Sequence, residues 1–293
     1  MKILLLGNTG QLGWELQRTL APLGPLTALD YPEIDLNDGE AARALVRDLR
    51  PQVMVNATAY TAVDRAEGER ETAFALNTET PRILAEEAER LGAALLHYST
   101  DYVFDGRKGA PYTEDDPTAP LNVYGESKLA GEQAIQQVGG AHLIFRTAWV
   151  YSLRRPSFVT KVLSWAQKNP VLRIVDDQVS NPTWARALAE ISAQVLAQAA
   201  ASGAPLAWLQ ARTGVYHLAG GGFASRYAWG REIIRLGVRE NPPQVVAAKS
   251  ADFPTPAQRP LFSVLDCSKF EAAFGLRLPP WQQALALAMD SGK

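Results

Sequence analysis

Short aliphatic runs alternate with longer amphipathic stretches through the first half of the chain. Residues 3–6, 26–29, 53–55, 94–97 and 143–145 are largely apolar on both alternating faces, the pattern of strands buried in a parallel sheet. Between them the apolar positions recur at helical spacing. In residues 38–49, Ala41, Ala42, Leu45, Val46 and Leu49 fall on one face. Alternation of this kind predicts right-handed crossovers and an α/β fold: a doubly wound parallel sheet with helices on both sides.

After residue 150 the rhythm loosens. Helical patterns persist at 158–167, 185–201 and 227–236, separated by loops rich in Pro and Gly. Two proline-dense loops, 109–120 and 241–260, are long enough to act as lids. The expected division is residues 1–150 as the sheet domain. Residues 151–293 then form mainly a smaller, mixed α/β ligand-binding region, with segments returning to the sheet.

Composition narrows the class of function. With 47% hydrophobic and 20% charged residues in 293, the chain can bury a core and is not disordered. Basic and acidic side chains number 29 and 31, a net charge of −2, so no broad field draws the protein to nucleic acid or to a membrane surface. No stretch approaches the roughly 18 apolar residues of a membrane span. The first apolar run is too short for a secretory signal, so the cytoplasm is the expected location. One cysteine, Cys267, excludes an intrachain disulfide, and His97, His142 and His217 lack the paired spacing of a zinc site.

The first candidate chemistry follows the first strand directly. Gly7-Asn8-Thr9-Gly10-Gln11-Leu12-Gly13 opens a helix, the Rossmann-like arrangement in which glycines permit a tight turn and close approach of a pyrophosphate. Exposed N–H groups and the helix dipole then favour the anion, so Gly7, Thr9, Gly10, Gln11, Leu12 and Gly13 are expected to hold it. Asp30 ends the second strand, where a carboxylate accepts from ribose hydroxyls and repels a 2′-phosphate. No arginine follows it, so NADH is expected, with NADPH as the alternative that a cation from a neighbouring loop would allow. Asp35 and Leu36 are placed beside the adenine. Ala57, Ala59, Tyr60 and Thr61, after the third strand, are placed along the phosphates and the nicotinamide ribose.

The second candidate site is Tyr124-Gly125-Glu126-Ser127-Lys128, with Ser99-Thr100-Asp101 at the end of the fourth strand. On a helix, Tyr124 and Lys128 share a face. A phenol with a pKa of about 10 is a sluggish acid at neutral pH, and a nearby ammonium is expected to bring it toward the working range. Lys128 also suits the nicotinamide ribose, and Thr100 can hydrogen-bond a substrate oxygen beside Tyr124.

These elements resemble the extended short-chain dehydrogenase/reductase superfamily. Further segments are similar, within it, to the dTDP-4-dehydrorhamnose reductase family: 7–15, 56–64, His97-Tyr98-Ser99-Thr100-Asp101-Tyr102-Val103-Phe104, Pro120-Leu121-Asn122-Val123-Tyr124-Gly125, 128–132, Phe145-Arg146-Thr147-Ala148-Trp149-Val150-Tyr151 and Pro254-Thr255-Pro256-Ala257-Gln258-Arg259-Pro260. The resemblance implies NAD(P)H-dependent reduction of the C4 ketone of dTDP-4-dehydro-β-L-rhamnose to dTDP-L-rhamnose, with Tyr124 as proton donor. It also implies that Thr100 and Asp101 hold the sugar and that Trp149 lines its pocket. Arg259 is a candidate for the diphosphate, which a guanidinium fork suits.

One departure concerns a metal. Some relatives hold magnesium with glutamates at a dimer interface. Glu15 has a counterpart here, but Arg186 follows Pro182-Thr183-Trp184-Ala185, and the tail offers only Asp290. An arginine serves a cation poorly, so no metal is expected. The expected partner is a dTDP-sugar, and the chain is expected to be a monomer or homodimer.

Three alternatives share these residues. A sugar-nucleotide dehydratase would need a Glu after the Thr-Asp pair, where Tyr102 stands. An epimerase needs no such Glu and would retain its NAD through the cycle. A non-catalytic dinucleotide-binding regulatory subunit would have no need of Thr100, Tyr124 and Lys128 together.

Overall fold

The computed structural model describes residues 1–290. Strand β1 (Ile3–Leu6) leads into α1 (Gln11–Leu20), followed by β2 (Leu26–Leu29), α2 (Gly39–Leu49) and β3 (Val53–Asn56). Short helices α3 (Val63–Ala66) and α4 (Arg70–Phe74) precede α5 (Thr80–Leu91), β4 (Ala94–Thr100), α6 (Val123–Val138) and β5 (Ala141–Thr147). Next come β6 (Val150–Tyr151), α7 (Phe158–Ala166), β7 (Val171–Val175), β8 (Val179–Ser180) and β9 (Thr183–Trp184). Helices α8 (Ala185–Ala201) and α9 (Pro205–Gln210) lead to β10 (Gly214–His217) and β11 (Ala224–Ser225). The chain continues through α10 (Arg226–Gly237), β12 (Gln244–Ala248), α11 (Ser268–Phe274) and α12 (Trp281–Asp290).

Six parallel strands form the main sheet in the order β10-β5-β4-β3-β1-β2. The chain leaves β1 toward β2 on one side and returns to β3 on the other. That reversal opens a crevice at the carboxyl ends of β1 and β3, where ligands of doubly wound sheets bind. The fold is a Rossmann-like α/β sheet.

Strands β1, β3, β4 and β5 are buried at every residue, because helices cover both faces. Their side chains alternate between two layers. Ile3, Leu5, Val55, Leu96 and Phe145 pack under α8 and α11 with Leu188, Leu196 and Phe270. Leu4, Leu6, Met54, Leu95 and Ile144 pack under α2 and α5 with Val46, Ile83 and Leu84. Each such fully buried Leu or Ile contributes roughly 1.5–3 kcal/mol of transfer free energy. Asp38 starts α2 by accepting hydrogen bonds from the N–H groups of Glu40 and Ala41.

Two features depart from the sequence reading. The stretch 241–260 is not only a loop: β12 lies within it and pairs in parallel with β7. The other proline-dense segment, 109–120, is tied down. Tyr112 is buried and stacks on Phe104 with ring centroids 4.2 Å apart, and its backbone bonds Val264 and Asp266. Glu114 accepts from the His217 N–H. No described helix is long and apolar enough to cross a membrane.

Candidate functional site

At the end of β1, Gly7 turns with φ of +88°, and α1 begins at Gln11. A Cβ on Gly13 would lie 1.9 Å from the Gly7 carbonyl oxygen, so glycine is required for the helix to start this close to the turn. This cradle fits the diphosphate of a dinucleotide. Asp30 sits across from it, its Oδ2 accepting from the Thr9 hydroxyl at 2.5 Å and from the Thr9 N–H at 3.2 Å. The Gln11 side chain is committed elsewhere, accepting from the Ser152 N–H. Asp35 braces Asn37, and Leu36 is buried in the core beneath α2 and α5, so its side chain is not free to flank an adenine.

Ala57 follows β3 and touches the glycine turn. Ala59, Tyr60 and Thr61 continue along the same edge. The Tyr60 backbone is clamped in both directions by the Asn77 amide, and its hydroxyl donates to Glu69.

On the neighbouring strand, β4 delivers Thr100 and Asp101. Helix α6 crosses directly above them because residue 125 is glycine, where a Cβ would lie 2.3 Å from the Tyr102 carbonyl oxygen. Asn122 caps α6 through the Gly125 N–H, and its Nδ2 donates to the Gln258 carbonyl. Tyr124 and Lys128 therefore sit one turn apart, over the carboxyl end of β4. The Tyr124 phenol lies beside the Thr100 hydroxyl, which itself donates to Asp101, and Lys128 donates from Nζ to the Tyr98 carbonyl at 2.6 Å.

Electrostatics here are governed by burial. The expectation that the ammonium lowers the Tyr124 pKa is not met: burial pushes the phenol above its ordinary value, and only the Thr100 hydrogen bond opposes that. Lys128 is itself pushed down to about 8 by burial, with Glu132 opposing. Asp101 is buried and pushed up to about 6, although the Ser263, Ser180 and Thr100 hydroxyls all donate to it. Asp101 therefore binds a proton more readily in the fold than in the unfolded chain, and its contribution to stability falls as pH rises from the ordinary carboxyl range through about 6. Asp101→Asn keeps an oxygen toward the two serines. Its melting temperature should exceed the native one at pH 7–8 and converge with it near pH 4. A gap that stays constant across that range excludes the buried carboxylate as the cause.

A cavity of about 1150 Å3 is lined among others by Trp149, Arg226, Trp229 and Arg259. Trp149 holds a left-handed backbone with φ of +43° and stacks on Trp229. The Arg226 guanidinium lies 3.6 Å from the centre of the Trp149 ring and also faces Phe158. Burial brings Arg226 down to about 10, which still leaves it a cation. Arg259 is held by Asp64 at 2.8 Å and by the Thr255 hydroxyl, and it bonds Tyr102. It is thus both ion-paired and turned to the cavity. Arg226 went unnoticed in the sequence. A basic residue opening a helix reads as surface there, and only the three aromatic rings around it mark it as part of a site.

A family model described as the RmlD substrate binding domain matches residues 1–293. The dTDP-4-dehydrorhamnose reductase of Burkholderia thailandensis is 42% identical over 99% of this chain and 98% of its own. The chain belongs to the dTDP-4-dehydrorhamnose reductase family. Among solved structures, the dTDP-4-dehydrorhamnose reductase of Clostridium acetobutylicum matches with a TM-score of 0.91 at 32% identity, over 99% of both chains. That of Bacillus anthracis, in complex with NADP, matches with a TM-score of 0.89 at 28% identity, over 99% of this chain and 100% of that one.

One region of this dTDP-4-dehydrorhamnose reductase family member carries arginine where a cation was considered. Arg186 pairs with Glu190 at 2.9 Å and faces Glu15, whose carboxyl burial raises and Arg186 lowers. Among the described residues, no three His, Cys, Asp or Glu side chains converge as metal ligands.

Proposed function

We propose that this chain reduces the C4 ketone of dTDP-4-dehydro-β-L-rhamnose to dTDP-L-rhamnose, using NAD(P)H and with Tyr124 as proton donor. The observation that carries the reading is the Tyr124 phenol beside the Thr100 hydroxyl, one turn from the buried Lys128, at the carboxyl edge of a sheet that also carries the glycine cradle. The dinucleotide, when bound, supplies the hydride. The residues of the chain do the rest. Thr100 and Tyr124 bring two hydroxyls to the ketone oxygen, and the Tyr124 proton moves to that oxygen as negative charge develops there. Lys128, while it carries its proton, would hydrogen-bond the nicotinamide ribose and so place the dinucleotide against Tyr124.

In the cavity, Arg226 and Arg259 supply two guanidinium groups for the nucleotide diphosphate, and Trp149 offers a ring face to the sugar. Asp101 orients Thr100 from below. The glycine turn, Thr9 and the 57–61 segment hold the dinucleotide.

The test is stoichiometric loss of NADH with the dTDP-4-keto sugar, followed by identification of the 4-hydroxy product. Retention of NAD through a turnover that only inverts a centre makes the protein an epimerase, and no reaction at all overturns the reading.

NADH is the preferred donor in this proposal, because Asp30 is held at the end of β2 with its charge facing the ribose position. Asp30→Ala should lower the NADH/NADPH ratio of kcat/KM by about tenfold. A ratio left unchanged removes Asp30 from ribose recognition.

A further inference from the structure

Behind the Tyr124–Lys128 pair lies a hydrogen-bonded string closed to solvent. Asn56 and His97 are fully buried, and Lys128 is 1% exposed. Asn56 Oδ1 accepts from the Thr58 backbone N–H at 3.1 Å and from the Thr58 hydroxyl at 2.6 Å. A backbone N–H cannot turn round, so the amide oxygen is committed and Asn56 Nδ2 faces His97 Nδ1 at 3.2 Å. An NH2 group only donates, which makes Nδ1 the acceptor and leaves the single proton of a neutral imidazole on Nε2. That Nε2–H points at Lys128 Nζ, 3.1 Å away. An ammonium has no lone pair to receive it, whereas an amine does. The amine satisfies the whole string, accepting from His97 and donating to the Tyr98 carbonyl at 2.6 Å.

We infer that His97, its tautomer fixed by Asn56, is a positioning residue that favours the uncharged form of Lys128 and so sets the pH at which the lysine gains or loses its proton. The surroundings oppose this weakly. Glu132, one turn along α6, is the acidic side chain that raises the Lys128 pKa, and its carboxylate is already taken by Arg146 of β5 through Nε and Nη2. From β4, the Tyr98 hydroxyl turns away to Ser192, and burial keeps His97 itself neutral. Tyr124, on the same helix, faces Thr100. Desolvation acts in the same direction as the string, bringing Lys128 down to about 8.

The kinetic consequence rests on the role proposed above for Lys128, but the tautomer does not, and the two are tested separately. In 15N spectra of the wild-type protein without ligand at pH 7, His97 should show a protonated Nε2 and a bare Nδ1. The protein has three histidines, and His97→Gln identifies the signal. A protonated Nδ1, or an imidazolium, overturns the inference whether or not the enzyme turns over any sugar.

The second measurement is the basic limb of the kcat–pH profile. Asn56→Asp gives Nδ1 an acceptor and turns a lone pair of Nε2 toward Nζ, and His97→Gln can turn an amide oxygen there. Both should move the limb upward by about one pH unit. Loss of turnover at every pH with the limb unmoved means that His97 is only structural, and overturns the inference as well.

Discussion

Tyr124→Phe should lower kcat by ~10²-fold or more while leaving dinucleotide affinity within a few-fold. The substitution removes one oxygen and almost no volume. The Tyr124 ring stays against Tyr102, at 5.7 Å between centroids, so the packing of α6 over β4 has no reason to change. What is lost is the hydroxyl beside Thr100, the group proposed above to give up its proton. No other described acid stands ready to replace it. Asp101 lies behind Thr100, held by two serines, and the Tyr102 hydroxyl is turned to Arg259. Steady-state kinetics with a parallel titration of NADH binding separates the two quantities. Near-native turnover would remove Tyr124 as proton donor, whereas a matching loss of NADH affinity would place its role in binding.

Gly13→Ala should damage both fold and cofactor binding. The new methyl would lie 1.9 Å from one backbone atom of the turn and 2.6 Å from another, and neither is the end of a flexible side chain. Gly7 has little room to shift, because even a Cβ added to it would lie 2.9 Å from the Ala57 backbone. Helix α1 must lift from the turn. A cost of about 1–3 kcal/mol is expected from such overpacking, and at least a tenfold loss of dinucleotide affinity is expected from the displaced N–H groups. Gly10→Ala is the control for stability, since its Cβ would meet the nearest backbone atom at 3.4 Å. Thermal denaturation should rank Gly13→Ala well below Gly10→Ala. Equal melting temperatures would show that the turn is looser than this packing implies.

Five of the six sheet strands were legible: four from short apolar runs such as Ile3–Leu6 that are buried on both faces, and β2, which is only half-buried, from its place in the alternation. The sixth, β10, is four residues long and only half of it is buried, so Gly-Val-Tyr-His carries no such signature. Strand β7 did alternate, with Leu172 and Ile174 inside and Val171 and Arg173 outside, but five residues are too few to stand out. Its partner β12 lies between proline-rich stretches and is mostly exposed, which reads as loop.

The chemical residues divide in the same way. The Gly7 turn and the Tyr124–Lys128 pair are local in sequence, and their spacing could be read directly. Leu36 packs with Val46 and Ile83, a burial that its neighbours in sequence do not announce. The pKa of Tyr124 was expected to fall because its neighbour in sequence is a cation. In the fold the Lys128 nitrogen turns to the Tyr98 carbonyl and His97, leaving desolvation to dominate.

The edge strand β10 has a consequence for how this polypeptide can be divided. It pairs with β5 along Leu143–Arg146, while Phe270 and Phe274 close over Phe145 and Tyr216. A fragment ending near residue 150 would leave β5 with a bare ladder of N–H and C=O groups and an uncovered aromatic face, an invitation to self-association. The first 150 residues are therefore not a portable cassette, and a graft that borrows them must carry the later strand and helix along.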